Sequence, residues 1–124
     1  MPQRVHPPAH LTPIQAPATA PWILPLPPTD LSKLATGFRP ASMDDKWLCF
    51  SRGDAHAQQN GILLVSLCRS WTSREFVVLR VKTGGGGDAQ VCQITWETES
   101  GCSEDEAKDL AAGVCRGVLG CEGF

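Results

Sequence analysis

The sequence lacks the features that mark several common classes of protein. It has no apolar run long enough to span a membrane and no hydrophobic segment of the signal-peptide type. Its glycine run, Gly84–Gly87, does not belong to a phosphate-binding motif that leads into a helix. The run joins two strand-like segments, so we expect a hairpin loop there. These absences favour an intracellular protein, with the cytoplasm as its expected location, and no membrane partner.

Patterns that bind metal ions are also missing. None of the six cysteines forms a C-x-x-C pair, and two of the three histidines lie within the first ten residues. The sequence therefore predicts neither a zinc site nor a cofactor. Cys49, Cys68 and Cys92 lie in apolar segments, where we expect reduced core residues. Cys121, near the C-terminal end, is the cysteine that we expect to be exposed.

Charge is distributed unevenly along the chain. Residues 41–82 carry six basic and four acidic side chains, whereas residues 83–124 carry two basic and eight acidic ones. The acidic half argues against binding of nucleic acid. The mildly basic half leaves room for a small anionic ligand, although the solvated faces of any domain could have this composition.

Proline is concentrated at the beginning of the chain, where nine of the ten prolines precede residue 29. Each proline removes a backbone donor and fixes φ, which opposes both helices and strand ladders. We therefore predict that residues 1–28 form a disordered leader rich in proline and alanine. Residues 29–124 are then predicted to form a single small domain.

Four apolar segments predict four strands, and the short links between them favour a mostly antiparallel meander. The last segment alternates most clearly, with Ile94 and Trp96 directed inward and Glu97 directed to solvent. A short helix over Leu31–Ala35, which Thr29 and Asp30 can cap and Gly37 ends, is expected before the first strand. The four segments are Lys46–Ser51, Ile62–Cys68, Glu75–Val81 and Val91–Glu97.

The C-terminal region predicts one amphipathic helix. Ser103 and Glu106 have the spacing of a capping box, an apolar stripe follows, and Gly120 ends the pattern. Gly113 and Gly117 each cost roughly 1 kcal/mol relative to alanine. Close approach of the helix to the sheet, or a weak helix, would explain them. The predicted fold class is thus α+β, a small four-stranded sheet with one helix packed on one face.

Tryptophans and cations gather where two predicted strands begin and end. Lys46 and Trp47 open the first strand, and Arg69, Trp71 and Thr72 follow the second. Arginine forms paired hydrogen bonds with carboxylates and phosphates, and indoles offer flat surfaces to rings and cations. These five residues are the predicted ligand-binding site, and a nucleotide-like or ADP-ribose-like anion would suit it. A binding or accessory domain without catalysis is the favoured function.

Three other interpretations remain open. In the purely structural one, Asp44 or Asp45 pairs with Arg69 and the tryptophans anchor a small core. In an enzyme, Asp44 or Asp45 would act as the general base and Arg69 would hold the anion. A third interpretation is a protein–protein module, or a homo-oligomer, that pairs through an exposed sheet edge.

The two segments also carry a resemblance. The run from Asp44 to Trp47, followed by Arg69 to Thr72, resembles a group of small proteins of fungi and bacteria with a D-K-W segment followed by R-S-W-T-G. Some bacterial members occur beside, or fused to, macro-type ADP-ribose hydrolases, and the group has no established activity. The resemblance covers about residues 38–82 and implies a link to nucleotide or ADP-ribose metabolism. Ser73 stands where the pattern has glycine, and a positive φ there would cost a serine roughly 1 kcal/mol.

Overall fold

Five strands and two helices make up the described part of the chain, which in this computed structural model comprises residues 5–42, 44–53, 61–84 and 89–124. No helix in these ranges is both long and apolar enough to cross a membrane. The elements are β1 (Pro17–Leu26), α1 (Pro28–Thr36), β2 (Trp47–Gly53), β3 (Gly61–Arg69), β4 (Arg74–Thr83), β5 (Ala89–Glu97) and α2 (Glu104–Gly117). The strands form one antiparallel sheet in the order β1-β5-β4-β3-β2.

The prediction of four strands is wrong, because the sheet has a fifth. Strands β2 to β5 form the predicted meander, and β1 adds to it beside β5. β1 lies in the region that we predicted to be a disordered leader, and it contains Pro17, Pro21 and Pro25. It is an edge strand with a single neighbour, so proline nitrogens can point away from the sheet without breaking its ladder. The fold class α+β itself is confirmed.

Both helices pack on the same face of the sheet. Leu31 and Leu34 of α1 and Ala107 and Ala111 of α2 belong to one hydrophobic cluster with the buried strand residues. The capping box of α2 forms as predicted, because Ser103 and Glu106 exchange hydrogen bonds between side chain and backbone. A short helix before the meander and a C-terminal amphipathic helix are therefore both present.

The glycines of α2 do not bring the helix close to the sheet. Gly113 and Gly117 are exposed, and a Cβ added to either would meet no heavy atom within 4 Å. Steric need in the described part of the chain therefore does not explain them.

Residues 5–16, before β1, pack on the opposite face of the sheet. Val5 and Leu11 pack against a second apolar cluster, and Thr12 forms a parallel bridge with Arg74 at the start of β4. The segment is therefore part of the folded structure, and it hides apolar side chains that two helices on the other face cannot reach. The second cluster consists of Leu48, Phe50 and Cys68.

Glu97 is not directed to solvent, as the strand pattern predicted, but is only 3% exposed. Its carboxylate accepts hydrogen bonds from the backbone N–H groups of Gln15 (2.7 Å), Ala16 (3.0 Å) and Glu99 (3.3 Å). These donors, Gln15 first, hold the pKa of Glu97 below its usual range. The carboxylate thereby fastens the N-terminal segment to the end of β5.

Asp30 does not cap α1, because the N-cap residue is Pro27 and no side chain caps the helix. Asp30 is instead fully buried, and its two oxygens accept hydrogen bonds from the N–H groups of Glu122 (2.9 Å) and Gly123 (2.7 Å). The C-terminal tail is thus held against the domain. Cys121, which we expected to be exposed, is consequently 5% exposed.

Both outer edges of the sheet are partly protected. Along β1, three prolines lack the N–H that a further strand would need. Along β2, Cys49 exchanges two backbone hydrogen bonds of 2.9 Å with Phe38. These features oppose the addition of a strand from a partner protein or from a second copy of the chain, which is the interaction that the sequence left open.

Candidate functional site

The two segments that the sequence singled out meet at one end of the sheet. The N–H of Ser70 donates to the carbonyl of Lys46 (2.9 Å), and its hydroxyl donates to the carbonyl of Asp45 (2.6 Å). Trp47 and Arg69 are direct partners across β2 and β3. The turn between β3 and β4 therefore lies against the segment that enters β2.

An open cleft at this corner is lined by Lys46, Arg69, Trp71 and Thr72, and we call it the corner cleft. Its volume is about 430 Å³, which lies within the range of small-molecule sites. Four of the five predicted ligand-binding residues therefore share one cavity, and Trp71 is 72% exposed there. The fifth, Trp47, is half-buried and does not line this cleft.

Arg69 is held by aromatic rings. The guanidinium carbon lies 4.3 Å from the ring centre of Trp47 and 5.3 Å from that of Phe76, which are cation–π distances. Within the described part of the chain its guanidinium makes no ion pair or hydrogen bond. The two rings thus hold the Arg69 guanidinium in place, and its N–H groups have no partner in the described part of the chain.

The two candidate general bases are not brought to Arg69. Asp45 accepts hydrogen bonds from the N–H groups of Ala41 (2.8 Å) and Ser42 (3.2 Å), so it stabilises the turn before β2. Asp44 is exposed, and neither carboxylate lines the corner cleft. The expected pairing of either aspartate with Arg69 is absent from the described ion pairs.

A second cavity, which we call the side cleft, adjoins the corner cleft and has a volume of about 380 Å³. Lys46 lines both cavities. The sequence did not reveal the side cleft, because the end of α2 and the link after α1 are distant in the chain from the predicted site. Its lining residues are Phe38, Asp44, Asp45, Lys46, Trp47, Gly117 and Val118.

Another open cleft lies at the opposite end of the sheet. It has a volume of about 460 Å³, and Lys82 is the one cation among its described lining residues. No aromatic side chain belongs to that described lining. Of the predicted glycine loop beside it, only Gly84 is within the described residues. The corner cleft, with two cations and an exposed indole, is the better match to a nucleotide-like anion.

The buried cysteines are not nucleophiles in this structure. All six cysteines are free thiols. Burial raises the pKa of Cys49, Cys68 and Cys121 to about 12, and it also raises the pKa of Cys115. These thiols stay protonated at neutral pH, which makes them unreactive.

Ser73 has a φ of 54° and is the one residue other than glycine with a positive φ in the described part of the chain. We expect Ser73→Gly to raise the free energy of unfolding by about 0.5–1 kcal/mol, because glycine adopts this conformation without the steric cost that serine bears. Urea unfolding measures the change. Ser100→Gly, at a turn residue without a positive φ, should bring no gain, and destabilisation by Ser73→Gly would show that this turn is not strained.

A function has to be inferred from the corner cleft and the side cleft, because comparison with known proteins finds no match. No protein-family model, curated protein or solved structure matches this chain.

Proposed function

We propose that the chain is a small binding domain that holds a nucleotide-like anion in the corner cleft. The observation that carries this proposal is the environment of the Arg69 side chain. Arg69 lines the cleft, its guanidinium carbon lies over the ring of Trp47, and it has no anionic partner in the described part of the chain. Lys46 adds a second positive charge to the same cavity.

The charge around the corner cleft supports an anionic ligand. Its described lining residues include two cations and no carboxylate. Arg74, at the other end of the same turn, differs because it forms an ion pair with Glu99. Stacking also restricts the Arg69 side chain before any ligand arrives. Less side-chain entropy is therefore lost when its N–H groups form paired hydrogen bonds with a phosphate.

The aromatic wall of the cleft favours a nucleotide over a simple anion. Trp71 presents a largely exposed indole beside the two cations, and stacking of a base on such a ring contributes about 1–3 kcal/mol. Thr72 adds a hydroxyl that can donate to a phosphate oxygen. These segments resemble a group of proteins of which some bacterial members occur beside, or fused to, macro-type ADP-ribose hydrolases, and that is in line with the same class of ligand. We propose binding without chemistry, since neither Asp44 nor Asp45 lines this cleft.

Isothermal titration calorimetry with ADP, ADP-ribose and inorganic pyrophosphate tests this proposal. We expect Arg69→Gln to weaken ADP binding by about 10- to 100-fold, because hydrogen bonds to a charged group contribute about 1.5–3 kcal/mol. Arg69→Lys should lie in between, since it keeps the charge but loses the planar fork. Arg80→Gln is the matched control, because Arg80 is an exposed arginine of β4 outside the cleft.

Trp71→Ala separates the contribution of the ring from that of the charges. It should weaken the binding of ADP but leave the binding of pyrophosphate unchanged, because pyrophosphate has no base to stack. Absence of binding by all three compounds at millimolar concentration would refute the proposal. An equal loss of affinity in Arg69→Gln and Arg80→Gln would refute it as well, since it would indicate only a general effect of charge.

A further inference from the structure

We infer that the ligand has two parts and is a nucleoside diphosphate that carries a sugar. The nucleoside diphosphate occupies the corner cleft, and the sugar occupies the side cleft. This inference rests on the proposed function, because it takes the anion in the corner cleft as given. Its starting observation is that Lys46 lines both cavities, so the two sites share a residue that carries a positive charge.

Two side chains that touch each other belong to the linings of the two cavities. Arg69 lines the corner cleft, Trp47 lines the side cleft, and the guanidinium of the first lies 4.3 Å from the ring of the second. The two cavities therefore lie on either side of this contact between a guanidinium and an indole. A phosphate held by both Arg69 and Lys46 would lie near this contact, which would place a sugar joined to the phosphate at the side cleft.

The chemistry of the side cleft differs from that of the corner cleft. Asp44 supplies an exposed carboxylate that can accept hydrogen bonds from hydroxyl groups, whereas the Asp45 carboxylate already accepts two backbone amides. Phe38 and Val118 supply apolar surface. A second phosphate would be repelled by the two carboxylates. A neutral group with both hydroxyls and C–H faces, such as a sugar, suits this lining.

Gly117 leaves space that a ligand can use. It is the last residue of α2, it lines the side cleft, and a Cβ added there would meet no heavy atom within 4 Å. A Cβ can therefore be added at this edge of the cleft without touching a described atom. Gly113, one turn earlier in the same helix, has equally open surroundings but does not line the side cleft. The two glycines form a matched pair for a test of occupancy.

The experiment compares ADP with ADP-glucose by calorimetry in the unmodified chain, in Gly117→Leu and in Gly113→Leu. We expect the unmodified chain to bind ADP-glucose about fivefold more tightly than ADP, the gain that one or two added hydrogen bonds provide. Gly117→Leu should abolish this gain and bind ADP as the unmodified chain does. Gly113→Leu should keep the gain. Asp44→Asn, a surface change that does not depend on the helix, should reduce the gain without affecting ADP.

The possible outcomes distinguish this inference from the proposed function on which it rests. If ADP and ADP-glucose bind equally well to the unmodified chain, or if the gain survives in Gly117→Leu, the two-part ligand is refuted while the proposed function stands. If neither compound binds at millimolar concentration, the two-part ligand is refuted, and the proposed function falls with it when ADP-ribose and pyrophosphate also fail to bind. Circular dichroism of the two leucine variants shows whether each is folded, and Asp44→Asn decides the question if Gly117→Leu is not.

Discussion

Replacing Asp30 with alanine is expected to lower the free energy of unfolding by about 2–4 kcal/mol. The carboxylate is fully buried and accepts hydrogen bonds from the backbone N–H groups of Glu122 and Gly123. Alanine would leave both donors without this acceptor and would leave a void where the carboxylate was. Urea unfolding measures the loss, and hydrogen exchange at the two amides shows whether the C-terminal tail has detached.

Two further variants show whether the effect comes from the tail. Asp30→Asn should cost nearly as much as alanine, because one of its terminal atoms becomes a donor that faces another donor. Asp109→Ala is the matched control, because Asp109 is an exposed aspartate of α2. It should change stability by less than about 0.5 kcal/mol. A loss below about 1 kcal/mol in Asp30→Ala, with unchanged exchange at Glu122 and Gly123, would contradict this account.

Asp30 and Glu97 have the same role, since each carboxylate holds a terminal region of the chain against the domain. Asp30 accepts two backbone amides from the C-terminal tail, and Glu97 accepts amides of Gln15 and Ala16 from the N-terminal segment. Both carboxylates are buried. A charged acceptor makes a stronger hydrogen bond with a backbone amide than a neutral one does. Buried carboxylates thus hold in place the residues just before β1 and the residues after α2.

These two carboxylates also show where sequence reasoning fails. Asp30 precedes a helical pattern, which is where N-cap residues occur, and Glu97 occupies the outward position of an alternating strand. Both assignments followed from local rules. The partners that bury them are more than 80 residues away in the chain, and no local pattern encodes such contacts. The strand β1 was missed for a related reason, since prolines exclude a central strand but not an edge strand.

Local sequence patterns predicted the elements correctly where the tertiary packing follows the same pattern. The four predicted strands lie within or close to β2, β3, β4 and β5, and the capping box begins α2 as expected. The pairing of β2 with β3 then brought Lys46 and Arg69 to one cleft, which the expected meander, with its first two strands as neighbours, could anticipate. The side cleft could not be anticipated, because Phe38 and Gly117 reach it only through the tertiary arrangement of the elements that carry them.

Gly37→Ala is expected to cost about 3 kcal/mol of unfolding free energy, from two sources that can be separated. Gly37 has a φ of 82° and ψ of −166°, a conformation that side chains rarely adopt. A Cβ there would also lie 2.3 Å from the carbonyl oxygen of Cys49. The end of α1 would have to move away from β2, and the hydrogen bonds between Phe38 and Cys49 would break.

Two further variants, Gly101→Ala and Gly113→Ala, separate the cost of the backbone conformation from the cost of the contact with Cys49. Gly101 has a similar φ of 78° but open space around it, so its alanine variant should lose only the conformational part, about 1 kcal/mol. Gly113 lies in a helix with open surroundings, and its alanine variant should gain about 1 kcal/mol. If Gly37→Ala loses no more than Gly101→Ala, the contact with Cys49 does not constrain the fold. If it loses more, the link that places Phe38 in the side cleft depends on a glycine at position 37.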